Sequence, residues 1–480
     1  MMHTVQKLKV EYGDFQTPIE LADQVCKKLV ALGVKPHIII EPTCGIGNFV
    51  EAASSCFDSA KKILGIELNI DYFRQIIEQE KFLHDQRIEI KCEDFFQVDW
   101  LSLIGESNEE ILVLGNLPWV TNSQQGSIGG VNLPKKSNFQ NHTGLDAITG
   151  KSNFDISEWM LIQFVKYLQK HNSYLAVLCK TSVSRKILNH IYSEKLNLAY
   201  CAVYKIDSKK YFDAAVEACL FFCKFDSNSQ EYYCDVFDSL ETSVCSRIGY
   251  LNNILVRDLI TFKKIESLYN KQSKTKWRSG IKHDCASVME FRKNNDYFIN
   301  GLGESYELEE TYIFPLIKGS SVAQNKTKAT DRYMLVTQSL VGESTESIKY
   351  LAPKTWAYLE KHESLLNNRK SKIYHNSPRF SIFGVGSYTF APWKIAICGL
   401  YKKLSFRLVG QINQKPVIFD DTVYFLSFFD EESAYESYQL LTSSLAKDFY
   451  SSLIFWDEKR PIKSSILNSL NLAALAKLVL

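Results

Sequence analysis

The sequence predicts an α/β protein built on a mostly parallel, doubly wound sheet, and two observations carry that prediction. Short apolar runs recur along the first half with helical stretches between them: Ile38-Ile39-Ile40-Glu41, Ile63-Leu64-Gly65-Ile66-Glu67, Ile88-Glu89-Ile90 and Ile111-Leu112-Val113-Leu114. Strands alternating with helices at this interval pair in parallel. Each run also leads into a polar group, in turn Glu41, Glu67, Asp94 and Asn116. Ligands of open α/β sheets sit beyond the carboxyl ends of the strands, so these four side chains are expected along one cleft.

The elements follow in order. Phe15-Gln16-Thr17-Pro18 opens a helix in which Thr17 is the expected cap, Pro18 the first residue, and Ile19, Ala22, Val25 and Leu29 share a face. The first strand ends in Glu41-Pro42-Thr43-Cys44-Gly45-Ile46-Gly47, a G-x-G turn that lets backbone approach a ligand before a helix over Val50 to Ser54. The third glycine of the dinucleotide fingerprint is absent. After the second and third strands, the fourth ends in Asn116-Leu117-Pro118-Trp119. An amide with one acceptor and two donors, a proline that stiffens the turn and a large flat ring together suit a planar, amino-bearing substrate. Residues 121–153, rich in Ser, Asn, Gln and Gly, read as a flexible flap over that substrate. Asp155 or Ser157 then caps a helix to Lys170. Tyr174 to Cys179, Tyr200 to Ile206 and Ala218 to Phe225 bring the strands to seven, the last two as an antiparallel hairpin at the sheet edge. The polar stretch Asp226 to Gln230 marks the expected boundary between domains 1–226 and 231–480.

Composition fits two or three domains: 480 residues exceed one core, and 45% hydrophobic with 13% aromatic content can fill more than one. A net charge of +2 excludes a strongly basic tail, and twelve cysteines without a C-x-x-C pair, among them Cys219 and Cys223, read as buried thiols of a cytoplasmic protein. Charge is unevenly placed. Between Lys349 and Lys415 twelve Lys/Arg face two acids, Glu360 and Glu363, with Trp356, Tyr358, Tyr374 and Trp393 interleaved. That excess of ten predicts a phosphate-contacting surface including Arg369, Lys370, Lys372 and Arg379, with Lys263 to Lys282 as a second basic region.

Phe15-Gln16-Thr17-Pro18, Glu41 to Gly47, Ile66-Glu67, Asp94-Phe95 and Asn116-Leu117-Pro118-Trp119 occur in an order and spacing that resembles bacterial adenine-N6 DNA methyltransferases of the gamma arrangement, over about the first 225 residues. The resemblance implies a Rossmann-like seven-stranded methyltransferase sheet followed by an α+β target-recognition domain, with S-adenosylmethionine as cofactor and double-stranded DNA as partner. It implies that Thr17, Glu41, Gly45 and Gly47 bind the amino-acid end of the cofactor, Glu67 its ribose, and Asp94 with Phe95 its adenine. Asn116 and the Leu117 carbonyl would accept hydrogen bonds from the target amine, with Pro118 shaping the turn, and Trp119 and Phe212 would stack on the flipped base. No metal is expected. The tetrapeptide departs from the commoner pattern at Leu117 and Trp119. The resemblance implies either the modification arm of a restriction system, with a cognate restriction endonuclease as partner, or a solitary methylase; the alternatives are methylation of RNA adenine or protein glutamine, or a DNA-binding specificity protein without activity.

Overall fold

The computed structural model describes residues 15–105, 109–119, 155–271 and 276–479. The flap proposed for residues 121–153 lies outside them. The chain divides into two compact units, Met1–Ile260 and Thr261–Leu480.

In the first unit a ten-stranded sheet holds β1 (Ile38–Glu41), β2 (Lys62–Glu67), β3 (Ile88–Cys92), β4 (Ile111–Asn116), β5 (Ser173–Lys180), β6 (Tyr200–Ile206), β7 (Ala218–Phe225), β8 (Tyr233–Phe237), β9 (Val244–Leu251) and β10 (Ile254–Val256). Their order is β10-β9-β8-β6-β7-β5-β4-β1-β2-β3. The run β3-β2-β1-β4-β5 is parallel, because each connection passes through a helix or a long excursion. β7 inserts antiparallel between β5 and β6. The centre is covered on both faces, and the near-continuous apolar sequences of β4 and β5 reflect it. Helices Ile19–Ala31 and Asn48–Cys56 pack Leu21, Val25, Leu29, Phe49 and Ala53 into this core.

Three expectations are corrected. The sheet has ten strands, and the β6–β7 pair is not an edge, since β8 adds parallel to β6 and β9 and β10 continue outward. The polar stretch Asp226 to Gln230 is a turn inside the unit: the Leu198 N–H donates to the Ser229 carbonyl at 2.8 Å and Glu231 N–H to the Leu198 carbonyl at 2.8 Å. The boundary therefore falls at Ile260 rather than Asp226. The extra hairpin had a local sign in Asn252-Asn253, both with positive φ (55° and 61°), as a two-residue turn between strands requires. Finally, neither expected cap makes a side-chain capping bond, although Asp155 does stand at the N-cap of helix Ile156–Leu168. Helix Ile19–Ala31 begins after Pro18 without a side-chain cap, and Asp155 directs its carboxylate to Lys180 Nζ at 2.8 Å.

The second unit contains a six-stranded and a four-stranded sheet with short helices. The six-stranded sheet is built around the antiparallel neighbours Glu290–Asn294, Tyr297–Asn300 and Arg332–Leu335, the four-stranded one around Trp393–Cys398 paired with Val423–Phe428. Trp356, Tyr358 and Phe380 are buried in its core instead of lying on a surface. No described helix is long and apolar enough to cross a membrane.

Candidate active site

The parallel order β3-β2-β1-β4 brings the strand ends together. A cleft is lined there by Thr17, Glu41, Gly45, Glu67, Asp94, Phe95, Asn116 and Pro118, so most of the residues singled out from the sequence share one cavity. Gly47 lies beneath, at the start of helix Asn48–Cys56.

The G-x-G turn needs its glycines. Gly45 and Gly47 hold φ of +56° and +88°, and a Cβ on Gly45 would stand 2.3 Å from Gln16 Oε1. The backbone N–H of Gly45 donates to Glu67 Oε2 at 2.7 Å, while Glu67 Oε1 accepts from Asn69 N–H at 2.6 Å. Each carboxylate oxygen has two lone pairs, so this fixes Glu67 without exhausting it. Asp94 is turned in the same manner, with Oδ1 accepting from Phe96 N–H at 3.0 Å. The Phe95 ring lines the cleft and packs against Trp100 at 4.9 Å and Phe164 at 5.5 Å, which fixes its plane.

Residues 15–17 tie the two halves of the cleft. Ile46 N–H donates to Gln16 Oε1 at 3.2 Å and Asn48 Nδ2 to the Thr17 carbonyl at 2.7 Å, so this segment braces the G-x-G turn. On its other side the Phe15 carbonyl accepts from Asn116 Nδ2 at 2.8 Å. Gln16 and Asn48 were not singled out from the sequence as site residues, and only their neighbours in the motifs could have flagged them. Gly115 was also missed: its φ is +152°, and a Cβ there would lie 3.2 Å from Glu41 Cγ.

Three polar atoms facing this region are buried without a hydrogen-bond partner: Thr17 Oγ1, Glu41 Oε2 and Asn116 Oδ1. An unpaired buried polar group costs about 1–3 kcal/mol, so three together mark a place where a ligand completes the bonding. Burial raises the Glu41 carboxyl well above the usual carboxylate range, and the charge of Glu67 raises it further. A cationic ligand group would oppose this shift by attracting the charged carboxylate. Acceptors, a glycine turn and an aromatic face thus fit a ligand with an ammonium, ribose hydroxyls and a purine.

Beside Asn116, Trp119 is buried and its ring contacts Phe15 at 5.3 Å and Phe212 at 4.9 Å. Two rings that clamp a base stand about 7 Å apart, twice a van der Waals separation. Trp119 and Phe212 touch each other here, edge to face at 67°, so no planar ring fits between them in this arrangement.

In the second unit the predicted phosphate contacts are corrected in part. Arg369 is buried: its Nε donates to the Leu366 carbonyl at 2.6 Å and its Nη1 to the Ser381 carbonyl at 2.7 Å, and its guanidinium lies 3.6 Å over the Tyr374 ring. Arg379 is paired with Glu363 at 3.0 Å and Glu360 at 3.7 Å. Lys370 and Lys372 are exposed. The excess of ten also shrinks in space. Lys394 is buried, with its amine on the Ala391 and Val417 carbonyls, while Lys354, Lys361 and Lys415 pair with Glu307, Glu304 and Glu310. Those three acids precede Lys349 in the sequence and reach the lysines only in the fold.

No protein-family model matches the chain. It is 70% identical over 480 residues, the whole length of both chains, to Type II methyltransferase M.NspV of Nostoc sp. (strain ATCC 29411 / PCC 7524). Among solved structures it resembles Type IIL restriction-modification enzyme MmeI, determined in complex with DNA, with a TM-score of 0.56 at 14% identity. That match covers 96% of this chain and 65% of the other, and at such identity it is a likeness of fold.

Proposed function

The chain belongs to the Type II methyltransferases, whose methyl donor is S-adenosylmethionine, and from that premise we propose that it methylates the N6 amine of an adenine flipped out of duplex DNA at a specific sequence. One observation carries this reading. Asn116 gives Nδ2 to the Phe15 carbonyl, which turns its Oδ1, buried and unpaired, outward at the end of β4 as an acceptor for an amino group.

An adenine amine is a weak nucleophile because its lone pair is delocalised into the ring. Two acceptors, Asn116 Oδ1 and the Leu117 carbonyl, hold both of its hydrogens and favour a pyramidal nitrogen whose lone pair points away from them. S-adenosylmethionine, when bound, supplies an electrophilic methyl on a sulfonium. Thr17, Glu41 and the Gly45–Gly47 turn hold its amino-acid end, Glu67 its ribose hydroxyls, and Asp94 its adenine amine beside Phe95. Pro118 fixes the turn, and Trp119 and Phe212 separate to receive the base, offsetting part of its unstacking. The second unit supplies the DNA contacts, with Lys370 and Lys372 still candidates. A cognate restriction endonuclease is the partner such a modification activity protects against.

The test is incubation with labelled S-adenosylmethionine and DNA, RNA or protein, followed by mapping of the modified atom. Label on adenine N6 within one recurring DNA sequence is expected. Label in RNA, on a protein glutamine or on another DNA atom overturns the proposal, as does an inert protein that binds both cofactor and DNA.

A further inference from the structure

The second unit contains a cleft to which the second basic region of the sequence, Lys263 to Lys282, contributes Arg278 and Lys282, and which Arg460 joins from far along the chain. Its floor is backbone packed on backbone. Arg278 and Ser279 pair with Phe425 and Tyr424, Gly280 N–H donates to the Val423 carbonyl at 2.9 Å, and Lys282 exchanges hydrogen bonds of 2.9 and 3.0 Å with Phe383. A Cβ on Gly280 would stand 2.1 Å from the Asp420 carbonyl oxygen. At Gly384, with φ +74°, it would stand 2.6 Å from the Gly280 carbonyl oxygen, so neither position admits a side chain.

Above this floor three cations converge. The Arg278 guanidinium lies over the Tyr388 ring at 4.9 Å, and that of Arg460 over Tyr424 at 5.5 Å. Arg278 is exposed and makes no ion pair among the described residues. Arg460 donates Nη2 to the Asp421 carbonyl, and its Nε is buried without a partner. Lys282, the third, is 3.5 Å from Asp284, a loose pair. Asp421 is the one acid among the lining residues.

We infer that this cleft seats the sugar-phosphate backbone of the DNA substrate, with Arg278 as its principal phosphate contact and Arg460 and Lys282 beside it. The inference rests on the reading that the substrate is DNA. Three cations against Asp421 and Asp284 leave the cleft net positive, which calls for an anionic partner. The Arg278 guanidinium meets the Tyr388 ring while its N–H donors have no ion-pair partner among the described residues, so they are available for bidentate binding of phosphate. Tyr388 and Tyr424 each carry an arginine on one face, so the cleft offers guanidinium donors for phosphate where an open aromatic platform would serve a stacked base.

The experiment uses the full chain, S-adenosylhomocysteine and a mixed-sequence DNA duplex, with affinity measured over a salt series. Arg278→Ala should lower affinity about tenfold and flatten the slope of log affinity against log salt by about 0.9, the value of one phosphate contact. Arg278→Lys, which keeps the charge, should retain the slope. Binding of S-adenosylhomocysteine should be unchanged in both, which shows that the protein is folded. If Arg278→Ala and a second variant, Lys282→Ala, both bind DNA with wild-type affinity and slope, the cleft is not the seat. If the wild type itself neither binds nor methylates DNA, the reading of the substrate has failed instead.

Discussion

On the proposed mechanism, Asn116→Ala should separate catalysis from cofactor binding. The substitution removes one positioned acceptor, Oδ1, and one donor, the Nδ2 that holds the Phe15 carbonyl at 2.8 Å. Loss of a single preorganised partner of a reacting group lowers kcat by about 10²–10³-fold, or roughly 2.7–4 kcal/mol. Loss of the tether to Phe15 is a smaller effect. It breaks one neutral hydrogen bond of about 0.5–1.5 kcal/mol and loosens residues 15–17, which brace the G-x-G turn through Gln16 and Thr17. Affinity for S-adenosylmethionine should therefore fall less than tenfold while transfer falls a hundredfold or more. Titration calorimetry measures the first and single-turnover methyl transfer the second. Asn116→Asp keeps an acceptor but sets an oxygen against the Phe15 carbonyl, so it should lie between the wild type and the alanine variant. Equal loss of binding and transfer in Asn116→Ala would refute the reasoning and make Asn116 a brace for the cleft; full transfer would remove it from the mechanism.

Other outcomes follow from the same geometry. Because the Glu41 carboxyl is raised above its unfolded value by burial and by Glu67, the stability it contributes is complete below the ordinary carboxylate range and is lost as pH rises through the folded value. Thermal unfolding without cofactor, over a pH series that starts in the ordinary carboxylate range and rises, should show this decline, and Glu41→Gln should flatten it. Gly115→Ala should destabilise the first unit by about 1 kcal/mol or more, since φ is +152° and Glu41 Cγ stands 3.2 Å from the new methyl; unchanged denaturant midpoints would contradict that. Arg369→Ala should lower the stability of the second unit by roughly 2–3 kcal/mol by leaving buried carbonyls unpaired, whereas Lys370→Ala and Lys372→Ala should stay within about 0.5 kcal/mol in urea unfolding.

What the sequence by itself determined is local and periodic. Apolar runs of strand length ending in Glu41, Glu67 and Asn116 could form buried strands with polar tips, and Gly45-Ile46-Gly47 could only be a turn that tolerates positive φ. These features depend on neighbours a few residues away, which is why β6 and β7 fall at the expected residues. Tertiary structure decided whatever depends on residues distant in the chain. Whether Asp226 to Gln230 is a linker depends on whether β6 has an open edge, and β8 closes it. The same holds for charge. Arg369 and Lys394 count as surface cations in the sequence, yet the fold surrounds both with carbonyl oxygens, and Glu304, Glu307 and Glu310 arrive from elsewhere to neutralise three lysines. The orientation of Asn116 belongs to this class too, set by a carbonyl 101 positions away in the chain. A side chain's type and periodicity are encoded beside it, but its partner, and so its exposure and its chemistry, exists only once the chain has brought distant segments together.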